Sequence, residues 1–194
     1  MMIYIGQALG IIATACCAVL PLFRKKWMML MFSLIANILF ATNQIIGDRI
    51  LLGTFSSAAL LYIVTVVQTL LMMWHVHKDS KVTLVENIIF LAIYVICGII
   101  GREKWQDIHP VFSVILSVLP ILGSAFSMFS TFQRDEQRTR LLIFFNAICW
   151  ASYFLIRWPI GGTLSTNVFA ELLATTTSAI GLIKYGLEKR RAQQ

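Results

Sequence analysis

Apolar residues are gathered into seven long runs, at positions 1–22, 27–46, 51–74, 84–101, 108–132, 141–156 and 162–183. Each is close to the about 20 residues that an α-helix needs to cross a bilayer, and the sixth is the shortest. The breaks between them are turn or charge signals, among them Arg24-Lys25-Lys26, Gly47-Asp48-Arg49 and Arg157-Trp158-Pro159, with longer polar stretches at 75–81, 102–107 and 133–140. The pattern predicts an all-α polytopic bundle of seven transmembrane helices, forming a single integral membrane domain over residues 1–194.

Composition sharpens this picture. Of the 194 residues 58% are hydrophobic and 13% charged, against about 45–50% and about 25% in soluble domains. Seven spans leave only short loops, with no room for a separate catalytic or nucleic-acid-binding domain. The net charge of +7 comes from 16 Lys and Arg, and their distribution reads as topology rather than as a nucleic-acid patch. Twelve fall after the first, third, fifth and seventh runs and four on the opposite side. The positive-inside bias places the N-terminus outside and the C-terminus in the cytoplasm. The first run has no basic residue before it and three after it, the reverse of a secretory signal, so a retained helix is expected. Trp27, Trp74, Trp105 and Trp158 lie near predicted span ends, as interfacial anchors do. Cys16, Cys17, Cys97 and Cys149 lie inside apolar runs without a C-x-x-C pair and read as small buried hydrophobes.

At one gapless offset of 109 the two ends of the chain resemble each other: Phe23 pairs with Phe132, Lys25 with Arg134, Asn37 with Asn146, Gly53 with Gly162, Thr54 with Thr163 and Ser56 with Ser165. The offset lays helices one to three (1–75) on helices five to seven (108–184) and leaves the fourth (84–101) as a linker. An odd linker makes the triplets parallel, a 3+1+3 architecture with a pseudo-axis along the membrane normal. Parallel triplets of this kind in sugar carriers place a solute site near the midplane between the halves.

Polar side chains at membrane depth face the bundle interior and mark solute paths, or else bond neighbouring helices together. In the seventh helix Thr163, Asn167, Glu171, Thr175 and Ser178 form one stripe. Glu171 is the one acid of nine predicted deep within a span, where a carboxylate needs a proton, a hydrogen bond to Asn167 or Thr175, or a wet cavity. Asn146, Trp150, Tyr153 and Arg157 share a face of the sixth helix. Ser33, Asn37 and Gln44 share one on the second, with Asn43 beside them. The repeat pairs Asn37 with Asn146 and Tyr62 with Glu171. Asn37, Tyr62, Asn146, Trp150, Tyr153, Asn167 and Glu171 are thus the candidate solute-binding residues. The third helix adds Thr54, Ser57, Thr65 and Gln68. Small residues on the first helix (Gly6, Gly10, Thr14, Cys17) and the fifth (Ser113, Ser117, Ser124, Ser127) read as close-packing faces, and Pro120 predicts a kink in the fifth.

His75 and His77 lack a third spaced ligand and read as a solvated loop. Glu86 suits the positive end of the fourth helix. Phosphate-binding, zinc-hydrolase and nucleophile-elbow motifs are absent, so neither an enzyme nor a cofactor or metal is expected.

Gln7-Ala8-Leu9-Gly10-Ile11-Ile12-Ala13, Phe23-Arg24-Lys25-Lys26, and Cys149-Trp150 followed by Ile160-Gly161-Gly162-Thr163 resemble the YgjV-type bacterial inner-membrane proteins over nearly the whole chain. The resemblance implies a small multi-pass protein of the bacterial cytoplasmic membrane with distant SWEET and PQ-loop kinship. It brings no substrate, and the Pro-Gln dipeptide is absent. The expected function is a carrier for a small polar solute, alternating access around a midplane cavity. The alternative is a non-transporting receptor or assembly protein with a structural polar core. Expected partners are the lipid bilayer, the solute and a second copy in a homo-oligomer, with no nucleic acid.

Overall fold

A computed structural model describes residues 2–51, 57–100, 110–161 and 166–191, which are helical except at the turns 23–25, 78–83 and 133–135. Among the described residues seven α-helices follow in chain order: α1 (Met2–Val19), α2 (Lys26–Leu51), α3 (Ser57–His77), α4 (Leu84–Ile100), α5 (Pro110–Phe132), α6 (Glu136–Gly161) and α7 (Thr166–Arg191). Five of them, α1, α2, α3, α5 and α6, are long and apolar enough to cross a membrane. The chain is an all-α, multi-pass bundle. Among the described residues α4 is the shortest α-helix, at 17 residues, and α7 carries Glu171, Thr175, Thr176, Thr177 and Ser178 along a 26-residue length.

Helix ends follow local chemistry. A single 3-10 turn, Leu20–Leu22, closes α1 at Pro21. The sixth helix starts five residues earlier than its apolar run, and this corrects the expectation that it is the shortest. Asp135 accepts the Arg138 backbone N–H at 2.7 Å, and Glu136 sits in the first turn, so a capped, dipole-matched start carries the charged segment into the helix. After α3, Asp79 adopts φ 49° while Ser80 N–H bonds His75 C=O at 3.0 Å, a left-handed helix stop that aspartate tolerates. Thr83 and Glu86 open α4 with reciprocal bonds: Thr83 N–H donates to Glu86 Oε2 at 2.6 Å and Glu86 N–H to Thr83 Oγ1 at 3.2 Å. His75 is not solvated. It is 4% exposed, with Nδ1 2.7 Å from Ser80 Oγ and Nε2 2.9 Å from Glu86 Oε1, tying α3 to α4.

In the packing, α2 contacts α1 and α3, while α6 contacts α5 and α7. The two groups meet where α3 packs on α5 and α1 on α7, with α4 against α3 and α5. Large apolar side chains such as Ile11, Val67, Ile88, Val111 and Ile183 are more than half exposed, as lipid-facing surfaces require. Inside, buried Phe40, Tyr62, Trp150, Tyr153 and Phe154 form an aromatic cluster.

The turns after α1, α3 and α5 and the end of α7 converge on one end of the bundle, where side chains cross-link them. Buried Arg140 donates from Nε to Pro21 C=O at 2.9 Å and from Nη2 to Phe23 C=O at 2.7 Å, with its guanidinium 4.1 Å from the Tyr185 ring centroid. Tyr185 Oη donates to Leu22 C=O at 2.8 Å, and Gln137 Nε2 to Leu182 C=O at 2.9 Å. Arg134 reaches Asp79 at 3.2 Å and bonds Ser80 C=O. These contacts form a clasp at the basic end.

Candidate functional site

Between the two groups of helices lies a cavity with about 80 Å³ open to water centres. One water needs about 10–15 Å³ on this measure, so several waters or one small solute fit. Helices α2 and α3 contribute Lys26, Ser33, Asn37, Phe40, Tyr62 and Thr65 to its wall; α5, α6 and α7 contribute Ser124, Ser127, Ser130, Thr131, Thr139, Asn146, Trp150 and Glu171. Wall residues on α2 recur at Lys26, Met29, Leu30, Ser33, Asn37 and Phe40, one face of a 3.6-residue period.

Five of the seven candidate residues line this cavity. Asn37 is half-buried, and its Nδ2 donates to Ser33 C=O at 2.7 Å. Asn146 Oδ1 and Tyr62 Oη are buried with no hydrogen-bond partner among the described residues. Trp150 is 4% exposed and stacks on Tyr62 with centroids 5.6 Å apart and on Phe154 at 5.8 Å; Tyr62 in turn stacks on Phe40 at 5.4 Å. Glu171 is 8% exposed. Thr175 Oγ1 donates to its backbone carbonyl at 2.7 Å, not to its carboxylate, which has no hydrogen-bond partner among the described residues. The sixth candidate, Tyr153, stands behind the wall, edge-on to Trp150 at 5.8 Å. The side chain of the seventh, Asn167, lies outside the described residues, as do those of Gln7, Ser57, Arg157 and Thr163.

Lys26, Cys17, Ser124 and Ser127 also line the cavity. Lys26 reads in the sequence as part of a basic turn, yet it stands seven and eleven positions before Ser33 and Asn37, on their helical face. Its Nζ donates to Ser130 C=O at 2.7 Å and to Thr139 Oγ1 at 3.2 Å. The small residues of α5 thus form wall as well as packing surface. Thr65, at the wall, and Gln68, behind it, belong to a satisfied network. Thr65 Oγ1 lies 2.9 Å from Tyr94 Oη, Tyr94 donates to Gln68 Oε1, and Gln68 Nε2 donates to Met128 C=O at 2.9 Å, joining α3, α4 and α5.

Gly123, three residues after buried Pro120 in α5, lets the indole approach. A Cβ there would stand 2.8 Å from Trp150 Nε1 and 2.9 Å from its Cδ1. Gly123→Ala is therefore expected to push the packed ring out of register and lower the melting temperature by about 5 °C, an overpacking cost of about 1–3 kcal/mol in a chain of this size. An unchanged melting curve would show that the indole moves freely.

No curated protein and no solved structure matches the chain significantly. A family model described as bacterial inner membrane protein, Imp-YgjV, matches residues 4–185. With its apolar helices and buried polar interior, the chain belongs to this family of multi-pass proteins of the bacterial inner membrane.

Proposed function

We propose that the protein carries a small polar solute across the inner membrane, with the two groups of helices rocking around the cavity. All seven helices span in this reading, the N-terminus outside and the clasped basic end in the cytoplasm, and residues 1–75 and 108–184 are repeats joined by the linker helix at 84–101. The pairing of α3 with α5 and of α1 with α7 supports it, because two parallel triplets related by a pseudo-two-fold axis meet third helix on first helix twice. A 17-residue α4 is at the short end of the spanning range. Glu171, in the polar stripe of α7, lines the cavity, where an acid at membrane depth is tolerated.

One observation carries the functional reading. The cavity lies between the two groups and is walled by Asn146 Oδ1 and Tyr62 Oη, which have no hydrogen-bond partner among the described residues, and by the buried Glu171. Buried polar groups are normally satisfied, and a solute or its water satisfies these. Asn37, Asn146 and Asn167 bind polar groups in this scheme, Trp150 and Tyr62 stack, Tyr153 backs the indole, and Glu171 holds a donor or a proton. The reading is of a carrier rather than an enzyme. The receptor or assembly reading draws on the closed Thr65–Tyr94–Gln68 network, which is a packing device.

Single-cysteine labelling along α7 with a membrane-impermeant thiol reagent, in a background lacking the native cysteines, separates the two. Labelling at positions 171 and 174 and protection at lipid-facing 172 and 173 are expected. Protection at all four sinks the transport reading. Solute uptake into proteoliposomes is expected to fall at least ten-fold in Asn146→Ala and Glu171→Ala; unchanged uptake removes these residues from the site.

A further inference from the structure

Two side chains of opposite charge type, Lys26 and Glu171, face the same cavity without meeting. Lys26 enters at the clasped end, where both of its hydrogen-bond acceptors are neutral, Ser130 C=O and Thr139 Oγ1. An ammonium group has three protons to donate, so one remains for the cavity. Glu136 lies close enough to influence it electrostatically, but Lys26 makes no ion pair among the described residues. Glu171 stands ten positions, roughly 15 Å, along α7 from Gly181, and Gly181 packs against Pro21 at the clasp. On α6 the wall runs from Thr139, which holds Lys26, to Asn146, a rise of roughly 10 Å. The carboxylate and the ammonium therefore stand apart, neither of them in an ion pair among the described residues, in a setting where an unpaired charge is costly.

The two ends also differ in kind. With Glu171 the wall holds Asn146 Oδ1, an acceptor without a partner among the described residues, and the rings of Tyr62 and Trp150, the combination of carboxylate, amide oxygen and aromatic surface that suits an ammonium group. At Lys26 the free N–H suits a carboxylate. A neutral polyol leaves both charges uncompensated, and a simple cation or anion leaves one.

We propose that the solute is a small zwitterion with separated charges, an ω-amino acid or short peptide, its ammonium group at Glu171 and its carboxylate at Lys26. This rests on the solute-cavity reading above. The probe is ε-aminocaproate, compared with caproate, n-hexylamine and sorbitol at equal concentration in thermal unfolding of the purified protein. A ligand that binds only the folded state raises its stability. ε-Aminocaproate is expected to raise the melting temperature by about 3 °C, at least three times the shift given by either singly charged probe. In Lys26→Gln it should do no better than n-hexylamine, and in Glu171→Gln no better than caproate, whereas Lys26→Arg keeps the wild-type preference. Equal shifts for all probes, or an unchanged preference in both charge-removing variants, overturn the proposal.

Protection of a cysteine at position 174 from labelling needs neither variant to fold. The zwitterion should slow labelling at least three-fold more than its singly charged analogues, and equal slowing overturns the proposal. Sorbitol stabilisation that is lost in Asn146→Leu overturns the charge assignment while keeping the solute cavity. An absence of shift with every probe, together with an unlabelled α7, overturns both.

Discussion

Arg140→Ala is expected to lower the melting temperature of the purified protein by about 10 °C. Arg140 is 3% exposed, and its guanidinium holds two main-chain carbonyls across the bundle, at 2.9 and 2.7 Å, beneath the Tyr185 ring. Each charge-assisted bond contributes about 1.5–3 kcal/mol and the ring contact about 0.5–2 kcal/mol. Allowing for non-additivity, the loss is about 3–4 kcal/mol, at about 2–4 °C for each in a chain of this size. Arg140→Lys should recover less than half, because a point ammonium does not reproduce the planar fork. Removing Arg24, which pairs with Glu188 at 3.3 Å but is 73% exposed, should cost under about 1 kcal/mol. A drop below about 2 °C in Arg140→Ala would show that the basic end is held by something else.

Trp150→Ala is expected to have a comparable effect on stability, with a different signature. The indole is buried between Tyr62 and Phe154, and large-to-small changes of this kind cost about 3–5 kcal/mol. Lipid offers the separated helices an apolar solvent, so most of the loss is dispersion contact rather than hydrophobic transfer. The vacated space opens onto the cavity. Labelling of a cysteine at position 174 should therefore accelerate in Trp150→Ala and stay near wild-type in Trp150→Phe, which keeps the stack. Labelling that slows in Trp150→Ala would mean that the wall collapses inward.

What was legible in the sequence is what has a local period. The seven helices follow the apolar runs, and the stripes through Asn37, Asn146 and Glu171 mark faces that converge on one cavity. The start of α6 is hidden because a charged stretch looks like a loop signal, whereas Asp135 and Glu136 make charge compatible with a first turn. Lys26 was hidden for a related reason. A basic triplet flanking a span reads as topology, and only the folded arrangement brings Ser130 and Thr139, over a hundred positions away, to its ammonium group. His75 looks solvated in the sequence because its partners, Ser80 and Glu86, flank a left-handed turn at Asp79 that hydropathy does not reveal. Tyr153 keeps its helical phase with Trp150 but lies one layer behind it, a distinction that depends on how far the helices approach.

The clasp at the basic end has an uneven genetics. Arg140, Tyr185 and Gln137 all donate from side chains, and what they hold are the main-chain carbonyls of Pro21, Phe23, Leu22 and Leu182. A carbonyl survives almost any replacement of its own residue, so the acceptor positions are free to drift while the donors are not. Across a set of homologous sequences this end should therefore leave invariant donors without covarying partners, and pairwise coevolution would miss the contact that holds the two halves together.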